Sequence, residues 1–157
     1  MNLASLFSLV RSREFLSNWL PPLLFSAGIL ILSGDLGSSS TTRAIIEKLL
    51  SPWLPPHQID QINHYLRMAG HIFAYSCLFV LWHRAFGGYS GSARQRSVLW
   101  SLGLCLAVSL MDEGRQSLVL ARKGSLRDVG LDMASASLAA FVSFLIPALR
   151  VRRKFSI

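Results

Sequence analysis

The sequence is short of acid. Eight aspartates and glutamates stand against sixteen lysines and arginines, and charged residues of both signs make up only 15% of the 157 residues. A soluble bundle of short helices needs polar outer faces, and the apolar blocks of this chain have almost none. Cysteine is nearly missing too. Cys77 and Cys105 each sit inside an apolar block, which excludes a disulfide framework and any cysteine metal spacing. They read as small apolar packing residues. No serine is set up as a nucleophile, since Ser109 and Ser117 are ordinary helix positions. No internal repeat is visible.

What is present is apolar and gathered in blocks: Trp19–Leu32, Ile72–Trp82, Val98–Met111 and Met133–Leu149. Each approaches the roughly 20 residues, at about 1.5 Å rise, that cross a hydrocarbon core of about 30 Å. The middle two reach that length only if polar flanks such as His71 and Asp112 enter the membrane. The sequence therefore predicts one all-α domain over residues 1–157, an integral membrane four-helix bundle with transmembrane helices at about 15–33, 66–84, 96–116 and 128–149. Residues 1–33 read as an uncleaved first helix rather than a signal peptide, because the region before the apolar run is long and Pro21-Pro22 interrupts it.

The net charge of +8 does not point to nucleic acid, because of where the bases fall. Four spans put both termini on one side, and that side receives Arg11, Arg13, Arg84, Arg94, Arg96, Arg150, Arg152, Arg153 and Lys154 against the single acid Glu14. Bases concentrated in short segments mark the cytoplasmic face. Both termini are therefore expected inside. The third loop, with Arg115, Arg122, Lys123 and Arg127, goes outside, beside acids that can pair with those bases.

Between the first two spans, Ile45, Ile46, Leu49, Leu50 and Trp53 share one helical face, and Arg43, Glu47 and Lys48 take the other. That pattern predicts a short amphipathic helix lying at the membrane interface. Pro52, Pro55 and Pro56 end it. A second amphipathic stretch, His57–Tyr65, leads into the second span.

The candidate site is the outer end of the last three spans. Arg67, His71, Tyr75 and Leu78 share a face of the second. Cys105, Ser109, Asp112 and Gln116 share a face of the third, with Glu113 beside it, and Asp128, Asp132, Ser135 and Ala139 form a stripe on the fourth. Half of the chain's acids fall between Asp112 and Asp132. Charged groups near lipid persist mostly where they pair or face a protein interior. The expectation is one polar cluster, with Glu113 paired to His71 and Arg122 close by, and with no polar stripe continuing inward.

The run R67-M-A-G-H71-I-F-A-Y75, then D112-E113-x-x-Q116, R122, G124-S125 and D128-V129, resembles the VanZ-like family of small bacterial membrane proteins. The family pattern is Arg-Lys-x-x-His-x-x-x-Tyr, then Asp-Glu-x-x-Gln, an arginine, and an aspartate opening the last helix. The resemblance covers roughly residues 66–139. Met68 stands where the family often has lysine, Asp132 where asparagine is usual, and Ser135 where glycine is common. The family is named for reduced susceptibility to the glycopeptide teicoplanin. The resemblance implies a multi-pass protein of the bacterial cytoplasmic membrane, active in the cell envelope or in antibiotic response.

Two functions follow. One is binding of an amphiphile (a lipid, a lipid-linked wall precursor or a glycopeptide antibiotic) through Arg67, His71, Tyr75, Asp112, Glu113, Gln116, Arg122, Asp128 and Asp132. The other is a small non-catalytic subunit or assembly factor of a larger membrane complex, with the same cluster acting structurally. A histidine beside paired carboxylates is the raw material of acid–base chemistry, but without a placed nucleophile the sequence favours a binder over an enzyme. No spacing demands a metal, no cofactor is implied, and the expected partners are membrane lipids and other membrane subunits. Single-cysteine labelling from outside the cell, in a background lacking Cys77 and Cys105, is expected to modify positions 39 and 123 and to spare position 92. Labelling at 92 with protection at 123 would invert the topology.

Overall fold

A computed structural model describes residues 13–33, 39–87, 93–117 and 125–154. The described chain is all-helical, with helices α1 (Arg13–Asn18), α2 (Leu20–Leu32), α3 (Ser39–Leu50), α4 (Pro56–Ala85), α5 (Ala93–Ser117) and α6 (Leu126–Lys154), and no strand among those residues. Two segments, Arg94–Ser117 and Leu126–Leu145, are long and apolar enough to cross a membrane. The hydropathy of α4 is lowered by Arg67, His71, His83 and Arg84 along its length.

The first apolar block is broken rather than continuous. Trp19 forms a turn between α1 and α2, and Pro21 and Pro22 fall in the first turn of α2. Backbone N–H groups there have no intrahelical partner, so proline loses little. The second block starts earlier than its apolar run. His57–Tyr65 and the apolar segment form one uninterrupted helix of 30 residues, about 45 Å long at about 1.5 Å per residue. Nothing between Pro56 and Ala85 removes an N–H or forces a turn. Gly87, at φ 64°, terminates α4 by donating its N–H to the Arg84 carbonyl at 2.9 Å. Glycine reaches this left-handed geometry without steric penalty.

Helix α4 is the centre of the assembly and touches each of the other five, most extensively α6 and α5. The core is Tyr75, Leu78, Phe79 and Trp82 from α4, Cys105 and Val108 from α5, and Ala136 and Ala140 from α6. Small side chains on α6 allow its backbone to approach α4 closely, and Ser76 reaches the Ser135 carbonyl across that contact at 3.4 Å. At the opposite end from the acid-rich cluster, Trp19 packs edge-on against Phe86 and Trp82 at 5.3 and 6.3 Å. There Arg94 donates to the Ser143 carbonyl at 2.5 Å and lies over the Phe144 ring.

The outside of the bundle is apolar. Phe73, Leu99, Trp100, Met111, Leu138 and Phe141 are all exposed, while Ser97, Ser101, Ser109, Asp112, Asp132 and Ser135 are buried. Polar side chains are thus buried beside the apolar core while large apolar ones face outward. Ala136 is fully buried against its neighbours. Ala136→Leu is expected to destabilise the protein in detergent by about 1–3 kcal/mol through overpacking, read as a shift in thermal unfolding. Ala134→Leu, on an exposed face, should change it by less than about 0.5 kcal/mol.

Candidate functional site

The site is built on Asp132, which is completely buried one and a half turns into α6. A buried carboxylate is tolerable only when its oxygens are hydrogen-bonded, and both are. His71 Nδ1 of α4 lies 2.8 Å from Oδ1, and the Ser109 hydroxyl of α5 donates to Oδ2 at 2.7 Å. One side chain therefore fastens three helices. His71 stacks parallel to Tyr75 with centroids 6.5 Å apart. The Tyr75 hydroxyl is buried beside Ser109 without reaching hydrogen-bonding geometry.

Asp112 is the second centre. It accepts a hydrogen bond from the Ser33 hydroxyl at the end of α2, and one from Gln116 Nε2 one turn on at 3.1 Å. Arg115 reinforces the same junction by donating to the Leu30 carbonyl. Helix α2 is thereby held to α5 by polar contacts at its last turn.

Glu113 does something different from its sequence-based assignment. Its Oε2 accepts the Ser125 backbone N–H at 2.6 Å, so it caps the start of α6 from a neighbouring helix, where free N–H groups and the helix dipole favour an anion. His71 is committed to Asp132 and not to Glu113. The expectation of a Glu113–His71 pair fails because Asp132 reaches His71 from α6. The second Glu113 oxygen is buried without a partner among the described residues. Arg122 lies outside the described residues.

Two cavities meet at this cluster. A groove of about 690 Å³ runs along α2 and α4, walled by Pro21, Leu24, Phe25, Gly28, Ile29 and Leu32, and ends on Arg67, His71, Asp112 and Gln116. A vestibule of about 740 Å³ lies among α3, α4 and α6, where Met68 and Leu131 stand beside the polar and charged Arg43, Asp60, Asn63, His64, Arg67, His71, Arg127 and Asp128. Arg67 and His71 line both. In the vestibule Arg43 is already engaged, at 2.6 Å from both Asp60 and Glu47. The Asp60 hydrogen bond, and then its charge, hold that guanidinium above its ordinary pKa. No ion pair among the described residues involves Arg67, Arg127 or Asp128.

Of the residues singled out from sequence, His71, Tyr75, Asp112, Gln116 and Asp132 converge on the end of the groove or directly behind it. Arg67 stands at its rim. Asp128 faces the vestibule, and Glu113 turns to α6. Ser33 was missed, because it looked like the end of an apolar run and its partner lies on another helix. Ser109 was placed on the right face, but without its role as a donor to Asp132. A buried polar pair deeper in the bundle was also missed: His83 Nδ1 and the Ser97 hydroxyl are 2.9 Å apart, with Ser101 bonded to the Ser97 carbonyl. Polar groups therefore do continue inward, after an apolar interval of Leu78, Phe79 and Cys105. The spacing Tyr75, Phe79, His83 on one helical face was the available signal.

No group of three or more histidine, cysteine, aspartate or glutamate side chains is arranged to hold a metal among the described residues. No family model matches the chain, and no curated protein or solved structure matches it.

The pairing is testable by mutant cycles on thermal stability in detergent. His71→Ala and Asp132→Asn are expected to couple by about 0.5–3 kcal/mol, whereas His71→Ala and Glu113→Gln should add to within about 0.5 kcal/mol. The reverse pattern would restore Glu113 as the histidine's partner.

Proposed function

We propose that this is a VanZ-like, multi-pass protein of the bacterial cytoplasmic membrane that binds an amphiphile between α2 and α4. The observation that carries the reading is the groove. Its walls are aliphatic and aromatic, its end is a set of polar and charged groups, and its volume of about 690 Å³ falls in the range of about 300–1,000 Å³ usual for small-molecule sites. An acyl chain suits the walls and a polar head suits the end.

Membrane embedding is supported by the apolar outer surface. Large exposed side chains occur on α2 (Leu24, Ile31), α4 (Ile72, Phe73), α5 (Leu99, Trp100) and α6 (Leu138, Phe141), far more apolar surface than a water-soluble monomer leaves uncovered. On this reading α5 and α6 are two passes, α4 is a third, and α1–α2 form a broken fourth, which completes the four-helix bundle. Helix α3 supports an interfacial placement. Ile46 alone of its apolar residues is buried against the protein, while Ile45, Leu49 and the following Trp53 stay exposed, leaving an apolar strip for lipid. The arginine distribution supports cytoplasmic termini. The order of Arg67, His71, Tyr75, Asp112, Glu113, Gln116 and Asp128 supports the family.

A second reading has its own observation. Both oxygens of Asp132 and of Asp112 find partners inside the protein, as a purely structural cluster in a subunit of a larger membrane assembly would require. Native mass spectrometry from gentle detergent separates the two. The wild type is expected to retain lipid-sized adducts, and Gly28→Phe to lose them. A Cβ at Gly28 meets nothing within 4 Å, so the new ring occupies the groove rather than the core. Co-purifying protein chains with no adduct in either form would favour the subunit reading.

A further inference from the structure

We infer that the amphiphile is a lipid with a zwitterionic phosphate–ammonium headgroup, its chain in the α2–α4 groove and its head across the Arg67–His71 wall in the vestibule. This rests on the groove reading above and specifies what the second cavity adds to it. The two cavities lie on either side of Arg67 and His71, so a headgroup that extends past these two side chains from the polar end of the groove enters the vestibule.

The charges left available there are of both signs. The charge of Arg43 is already balanced by Glu47 and Asp60, and the His71 Nδ1 edge is taken by Asp132. What remains is the pair of guanidinium groups of Arg67 and Arg127, and the carboxylate of Asp128, none in an ion pair among the described residues. Guanidinium is the natural recogniser of phosphate oxygens. Asp128 sits in the first turn of α6, on the vestibule wall. A headgroup with phosphate alone would leave this carboxylate facing a second anion, which costs affinity. A headgroup ending in a primary ammonium satisfies it. A quaternary ammonium carries the charge but has no N–H to donate. The vestibule chemistry therefore selects phosphatidylethanolamine over phosphatidylglycerol and phosphatidylcholine.

The experiment uses the full chain, delipidated in detergent and offered equimolar phosphatidylethanolamine, phosphatidylglycerol and phosphatidylcholine of identical acyl composition, with bound lipid read by native mass spectrometry. Wild type is expected to retain phosphatidylethanolamine about fivefold or more over each competitor, a difference of the size a single charged contact supplies. Asp128→Asn should erase the preference over phosphatidylglycerol while keeping total lipid bound. Arg67→Gln should lower retention of all three, and Arg127→Gln, at an exposed position, serves as the cation test should Arg67→Gln fail to fold. Equal retention of the three lipids by wild type, or a preference unchanged in Asp128→Asn, would overturn the inference while leaving the groove reading intact, provided Gly28→Phe still abolishes binding. No adduct at all in wild type would sink both.

Discussion

A carboxylate buried with no exposed edge organises this protein. Asp132 has no access to solvent, and its two oxygens are satisfied by side chains from two other helices. A single missing partner would leave a buried acceptor or charge uncompensated, at a cost of several kcal/mol. That requirement fixes the rotation of α4, through His71, and of α5, through Ser109, about the axis of α6. The packing below, of Leu78, Phe79 and Trp82 against Cys105, Ala136 and Ala140, is non-directional. The polar contacts above are not, and they set the register.

The architecture then extends outward by the same logic. Asp112 repeats the arrangement on a smaller scale, drawing in the end of α2 through Ser33. Glu113 holds the start of α6 through Ser125. Adjacent acids on one helix thus serve opposite neighbours, which is possible because consecutive helical positions point about 100° apart. The groove runs down between α2 and α4 from these junctions, so the contacts that assemble the helices also furnish its polar end.

Much of this was legible in the sequence, and the limits are physical. Helical class, the positions of α5 and α6, and the face carrying Arg67, His71 and Tyr75 follow from block lengths and from 3.6-residue spacing, which are local properties. The faces of α5 and α6 with Ser109, Asp112 and Asp132 were readable for the same reason. Which face meets which was not. Glu113 and Asp132 both stand at a depth that reaches His71, and only the rotation of α6 decides between them. Ser33 carries no signal of its own, because a serine ending an apolar run is usually just a boundary. The start of α4 was misplaced since the change in hydropathy at Leu66 is not a change in backbone geometry.

That unbroken α4 is also a stiff rod. It carries Asp60 and His64 near one end, the Arg67–His71 wall, and His83 and Arg84 near the other. Over about 45 Å, a tilt of about 10° about its midpoint moves each end by about 4 Å in opposite directions. The Arg67–His71 wall stands at that midpoint, where a rigid tilt displaces side chains least. The far arm, which holds Ser97 through His83 and the Ser17 carbonyl through Arg84, takes up the movement instead.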